Sequence, residues 1–237
     1  MKTMVITGTT QGIGKELYTF FANNYRVITI NRRKFAGNNY VCDLSDLTAV
    51  SVTARLISKE KPDILINNAG GASPTLFKNL SADELVRCTN LNYHAPVLLM
   101  QATLEGMKER GFGRVVNITS IAAKSPRPLI PHYGAAKSAL EKFSASMAVA
   151  YSGSGIGINC VCPGGVNTAT SCENRKQMAI IQGLQEDYYN NMIAENNGLS
   201  RMVNSKEVVS LVDYLLSDQA SAITGQTYNI CGVKEIH

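Results

Sequence analysis

The chain has 237 residues and a net charge of +5; 45% of its residues are hydrophobic and 17% are charged. That length and composition suit one large α/β domain with ample core, and exclude a disordered or fibrous class. No apolar run approaches the ~18 residues of a membrane helix, the first residues carry no signal-peptide pattern, and the basic excess forms no nucleic-acid-binding stripe, so a cytoplasmic protein without membrane or nucleic-acid partners is expected.

In chain order, short β-branched runs alternate with helical patterns. A strand over 4–7 enters a glycine turn and a helix to about Ala22. Strands over 26–30 and 40–41 follow, then a helix from about Asp46 to Lys59. The strand over 64–66 closes on Asn67-Asn68-Ala69-Gly70. Ser81 and Glu84 have the spacing of a capping box ahead of a short helix, and a longer helix is predicted from about Leu91 to Glu109. Val115 to Ile118 reads as a buried strand, and an Ala-rich helix opens near Tyr133. The strand over 157–161 is stopped by Pro163-Gly164-Gly165. Ser205 is predicted to cap a helix to about Leu216, and 227–230 is the last strand. This order predicts one domain, residues 1–237, built on a doubly wound parallel sheet of about seven strands with helices on both faces. The six cysteines (Cys42, Cys88, Cys160, Cys162, Cys172, Cys231) form no C-x-x-C and have no histidine at zinc spacing. They are read as reduced thiols, with no metal expected.

The first strand is followed by Thr7-Gly8-Thr9-Thr10-Gln11-Gly12-Ile13-Gly14. A strand feeding a helix through such a turn brings backbone N–H groups and the positive end of the helix up to a pyrophosphate. The bland alternative is a turn that serves only close packing. The second strand ends in Asn31-Arg32-Arg33, with no acid to hold a ribose 2′-OH and with guanidiniums suited to a 2′-phosphate, which favours NADP(H) over NAD(H). Solvated loop arginines are the alternative. Asp43 and Leu44 can fix and cover the adenine, although Asp43 can equally cap the following helix. Asn68, Ala69 and Gly70 stand at a strand's carboxyl end and allow a ribose to approach. Asn67 suits either that role or a cross-strand bond.

Tyr133 and Lys137 are four apart on a helix and share one face. A phenol beside an ammonium is a proton donor whose ionised form is stabilised. Ser120 ends the strand before them. Together the pieces Thr7-Gly8-x-x-x-Gly12-Ile13-Gly14, Asn67-Asn68-Ala69-Gly70, Asn92, Ser120, Tyr133-x-x-x-Lys137 and Pro163-Gly164 resemble the short-chain dehydrogenase/reductase family. Ser217-Asp218 and Thr224-Gly225-Gln226 look like its C-terminal region. Cys231-Gly232-Val233 departs from the family's frequent Asp-Gly-Gly.

The resemblance implies a Rossmann-type fold and hydride transfer between a nicotinamide and a small carbonyl or alcohol substrate. Tyr133 would be the general acid for ketone reduction, Lys137 would lower its pKa and bind the nicotinamide ribose, Ser120 would hold the substrate oxygen, and Asn92 would anchor a water relay. Pro163 and Gly164 would run beside the nicotinamide, with Val166 near its carboxamide and Thr168 near the phosphates; Thr10, Gln11 and Ile13 complete the glycine-turn contacts. The expected activity is an NADP(H)-dependent carbonyl or 3-oxoacyl reductase. An NAD-dependent alcohol dehydrogenase of the same family and a non-catalytic dinucleotide-binding protein are the alternatives. His94 and His132 are read as non-catalytic.

Residues 169–203 are expected to cover the substrate. Ile181, Leu184, Tyr188 and Met192 recur at helical spacing as a lid face or, equally, as plain packing. The alanines of the 133 helix, together with the 91–109 helix, suit a subunit interface in a tetramer or dimer.

Overall fold

The apolar runs become seven strands: β1 (Thr3–Thr7), β2 (Arg26–Asn31), β3 (Asn38–Val41), β4 (Ile64–Asn67), β5 (Gly113–Ile118), β6 (Ile156–Pro163) and β7 (Thr227–Ile230). The computed structural model describes residues 1–35 and 37–232, with the Asn196 side chain excepted. All strands are parallel, in the order β3-β2-β1-β4-β5-β6-β7. β1, β4, β5 and β6 are buried at every residue, as a sheet covered on both faces requires.

Alternate side chains of each strand feed opposite layers. On one face Val5, Leu65, Val115 and Ile158 pack with Val50 and Ile57 of α2 (Leu47–Lys59), Leu99 and Met107 of the helix Ala95–Glu109, and Leu140 of the helix Pro131–Ala150. On the other, Met4, Ile6, Ile66, Val116 and Val161 pack with Leu17 and Phe21 of α1 (Gly12–Phe21) and with Val208, Val212 and Leu215 of the helix Ser205–Leu216. The chain steps outward from β1 to β2 on one side and to β4 on the other, so the carboxyl ends of β1 and β4 open a crevice at the point where strand order reverses. Among the described residues no helix is long and apolar enough to cross a membrane.

Three local expectations change. The helix predicted to begin near Leu91 is continuous with the one before it: α3 (Ala82–Thr89) passes through a wide π-helical turn at Asn90–His94 into α4 (Ala95–Glu109). The Ala95 N–H reaches back to the Asn90 carbonyl, and Pro96 has no N–H to offer the Asn92 carbonyl. The box at Ser81 is half formed. Ser81 Oγ accepts from the Glu84 N–H at 3.2 Å, while the Glu84 carboxylate turns away to grip Arg87. The last long helix is capped by Asn204 rather than Ser205, with Glu207 closing a complete box onto it.

Candidate active site

The crevice begins with the turn after β1. The side-chain amide of Asn68 donates to the carbonyls of Thr7 and Gly8, both at 3.0 Å, and Thr7 Oγ1 accepts from the N–H groups of Asn68 and Ala69 at 3.0 and 2.9 Å. These four bonds lock the loop after β4 to the glycine turn. A Cβ on Gly14 would stand 2.0 Å from the Gly8 oxygen and 2.4 Å from Asn68 Nδ2, so no larger residue fits there. α1 carries no side-chain cap and no acid in its first turn, which leaves its N–H groups and positive end for a phosphate. The site fits the dinucleotide that the sequence implies.

Gly8, Thr10, Gln11, Gly12, Ile13, Gly14, Arg32, Asp43, Leu44, Asn68, Ala69 and Gly70 all line this crevice. Asn31 lines it too, but its amide is committed inward: Oδ1 accepts from the Thr9 N–H at 2.7 Å and Nδ2 donates to Asn39 at 2.8 Å. It therefore holds the turn rather than offering a ligand contact. Arg33 is exposed and lies outside the lining. Asn67 is a cross-strand residue, donating to Asn117 Oδ1 at 2.8 Å. Asp43 accepts from the N–H and hydroxyl of Ser45, while Asp46 caps α2. Desolvation pushes the Asp43 carboxyl up, but the Ser45 bonds and the guanidiniums of Arg32 and Arg87 hold it below its usual range. Arg87, fixed by two bonds to Glu84 at 2.6 and 2.8 Å, also lines the crevice. Its i, i+3 spacing from Glu84 looks like an ordinary surface helix pair, and nothing local marks it.

The opposite end is built where β5 meets the helix α5 (Pro131–Ala150). Ser120 follows β5 and opens a short turn by accepting from the Ala122 N–H at 3.2 Å. A Cβ on Gly134 would stand 2.5 Å from the Ala122 oxygen, so only glycine lets α5 press this close to the serine turn. That approach brings the Tyr133 phenol beside the Ser120 hydroxyl, which favours its ionised form. Lys137 is 2% exposed. Its Nζ donates to the Ile118 carbonyl at 2.9 Å and stands 5.8 Å from the centre of the Tyr133 ring. Ser120, Tyr133 and Lys137 share the crevice with the glycine turn, and the cavity measures about 630 Å³, within the range of small-molecule sites.

Asn92 lies beneath this end, fully buried. Its amide donates to the carbonyls of Gly71 and Cys88 at 2.9 and 2.8 Å and accepts from the Gly71 N–H at 3.0 Å. A Cβ on Gly70 would meet Asn92 Oδ1 at 2.7 Å and Lys137 Nζ at 3.0 Å. Asn92, Gly70 and Lys137 are thus packed against one another. His132 is buried 3.5 Å from Glu84 and does not line the crevice.

The electrostatics correct one expectation. Burial pushes the Tyr133 phenol up to about 12, with only the Ser120 bond working the other way. The ring keeps an edge open to the crevice, yet dense packing around it outweighs that opening. The Lys137 ammonium, drawn to the Ile118 carbonyl and itself desolvated to a pKa of about 8, does not offset that burial.

The rim is formed by Pro163, Gly164, Val166 and Thr168 and by the first three turns of α6 (Ala169–Gln182). Thr168 caps α6 by accepting from the Ser171 N–H at 3.2 Å, and Gln11 Nε2 donates to Thr170 Oγ1 across the mouth. The expected stripe does not form a single lid face. Gly183, at φ +67, ends α6, and α7 (Glu186–Asn196) starts afresh. Tyr188 is exposed and Tyr189 is buried in its stead. Thr170, Ser171, Asn174, Arg175 and Met178 face the crevice; Ile181, Leu184, Tyr188 and Met192 do not line it. Cys231 packs against Gly164, while Val233 lies outside the described residues.

Comparison with known proteins follows the same lines. The short chain dehydrogenase family matches residues 2–179. A 3-oxoacyl-[acyl-carrier-protein] reductase of Rickettsia felis is 31% identical over 243 residues, covering 98% of this chain and 95% of that protein. An acetoacetyl-CoA reductase of Shinella zoogloeoides is 27% identical over 245 residues, covering 96% of each. Among solved structures, an actinorhodin polyketide ketoreductase with NADPH superposes with a TM-score of 0.91 at 24% identity, over 100% of this chain and 98% of that one. A 4-hydroxyisoleucine dehydrogenase complexed with NADH gives 0.86 at 27% identity, over 98% of each.

Proposed function

The chain belongs to the short-chain dehydrogenase family, and from that premise we propose that it is an NADP(H)-dependent carbonyl reductase, converting a ketone such as a 3-oxoacyl thioester into the secondary alcohol. The observation that carries this reading is the meeting of Ser120, Tyr133 and Lys137 in the crevice whose other end is the glycine cradle. The names of the 3-oxoacyl and acetoacetyl-CoA reductases to which the chain is similar support the choice of substrate class.

When bound, the reduced nicotinamide supplies the hydride. The side chains do the remaining work. Ser120 Oγ and the Tyr133 phenol hold the carbonyl oxygen, and the phenol gives that oxygen its proton as negative charge develops there. A phenol with a pKa of about 12 is fully protonated near neutrality, which is the form a reductive step requires. Lys137, oriented by the Ile118 carbonyl, steadies the phenolate left behind. The Asn92 carbonyl, to which Pro96 has no N–H to donate, would hold a water that returns a proton towards Lys137.

Arg32 supports NADP(H), since it lines the crevice just past β2, whose end in Asn31-Arg32-Arg33 carries no carboxylate for a 2′-OH. Gly8, Thr10, Gln11, Gly12, Ile13 and Gly14 would hold the pyrophosphate end.

Following NADPH oxidation against a ketone panel tests the chemistry. Tyr133→Phe should lower kcat by about 10²- to 10⁴-fold while leaving the NADPH Kd unchanged; retained turnover would refute the assignment. Arg32→Asp should weaken NADPH by about tenfold or more and spare NADH. An equal loss for both cofactors would count against the 2′-phosphate contact.

A further inference from the structure

The rim carries a buried cation that the reductase reading does not use. Arg175, in the second turn of α6, is 7% exposed and lines the crevice with Ser120, Tyr133 and Lys137. Its three hydrogen-bond partners are neutral: Nε donates to Asn190 Oδ1 at 2.8 Å, Nη1 to Ser171 Oγ at 2.6 Å and Nη2 to Cys172 Sγ at 3.1 Å. A guanidinium withdrawn from water is costly unless an anion offsets it.

We propose that Arg175 is the anchor for an oxyanion on the substrate, so that the ketone reduced here carries a carboxylate or a phosphate; this rests on the reductase reading and names its substrate class. Of the five guanidinium N–H groups, the neutral partners occupy one on each nitrogen and leave one on Nη1 and one on Nη2. Two N–H groups on neighbouring nitrogens are what a bidentate carboxylate or phosphate takes. The neutral partners fix the fork before any ligand arrives: Ser171 and Cys172 hold it from its own helix, and Asn190 holds it from α7. The charges around it agree. Arg32, Arg87, Lys137 and Arg175 line the crevice with one acid, Asp43, and that acid is engaged by Ser45 near Arg32 and Arg87. Among the described residues no lining carboxylate remains for Arg175.

Equilibrium binding to the complex with oxidised dinucleotide, NADP+ or NAD+ whichever binds tighter, separates this from turnover. The probes are two matched pairs: acetoacetate with methyl acetoacetate, and acetoacetyl-CoA with the uncharged N-acetylcysteamine thioester. In the wild type the charged member of one pair should bind about 10- to 100-fold tighter than its neutral partner. Arg175→Met should erase that preference without changing the affinity for the neutral probe or for dinucleotide, and Arg175→Lys should restore part of it. A preference within the first pair identifies a carboxylate, and within the second a phosphate of the carrier. Equal binding within both pairs, or equal loss of charged and neutral probes in Arg175→Met, would overturn the proposal. If the preference is present and no probe is reduced, the anchor stands and the reductase reading falls.

Discussion

The two walls of the crevice are built in different ways. The inner wall, from the glycine turn through Asn68 to Gly71 and on to α5, is set by close backbone approach: Gly14 against the Gly8 carbonyl, Gly134 against the Ala122 carbonyl, and Gly70 against the buried side chains of Asn92 and Lys137. The outer wall, α6 and α7, is joined by side-chain bonds such as Arg175 to Asn190 and leaves Ile180 and Tyr188 in solvent. Close backbone approach dictates the residue type at each position, whereas side-chain contacts can be exchanged. On the proposed reading, proton transfer falls to the wall that cannot vary and the choice of substrate to the wall that can.

The same substitution made on each wall tests that contrast most severely. Gly14→Ala would drive a Cβ into the Gly8 carbonyl, and should cost about 3 kcal/mol or more and abolish dinucleotide binding. Gly183→Ala meets nothing within 4 Å and suffers only its left-handed backbone, about 1–2 kcal/mol. Denaturant unfolding of both variants measures the difference, and similar losses would erase the distinction between the walls.

The contrast also explains what could be read in the sequence. Strands, glycine turn, Ser120, Tyr133 and Lys137 were legible because each is dictated by backbone geometry that leaves a fixed residue type at a fixed spacing. The inward commitment of the Asn31 amide is not legible, because it satisfies a buried turn through a partnership with Thr9 that no local pattern announces. The lid stripe failed because Gly183 splits one apparent helix in two and rotates Tyr188 out. Arg87 and Arg175 reach the crevice only through tertiary packing. The direction of the Tyr133 shift was missed for a related reason: spacing places an ammonium near a phenol, but only the fold tells how far each is desolvated.

Lys137 gives the next largest effect, because the inner wall buries its charge. Its folded pKa of about 8 lies below the ordinary 10.5, so the unfolded chain binds more protons between those values. The penalty is full below pH 8 and is relieved as pH rises towards 10.5. Lys137→Met should therefore stabilise the fold at pH 7 by about 1–3 kcal/mol while abolishing turnover, and the gain should shrink at pH 10. A variant less stable than wild type at pH 7 would mean that the bond to the Ile118 carbonyl outweighs desolvation.

The smallest effect separates the walls by titration. With NADPH as the varied substrate, kcat/KM reports the free enzyme's groups. Tyr133 stays protonated to about 12, so the first loss on raising pH belongs to Lys137. The reduction should be level below pH 8 and then fall by about tenfold per pH unit. The Arg175 guanidinium bonds to Ser171, Cys172 and Asn190 rather than to Tyr133 or Lys137, so Arg175→Met should leave the midpoint where it is even as it changes the substrate KM. A midpoint that moves with Arg175 would couple the two walls electrostatically and end the division of labour between them. A level profile to pH 10 would remove the Lys137 charge from the rate and leave Ser120 and Tyr133 to carry the proton transfer alone.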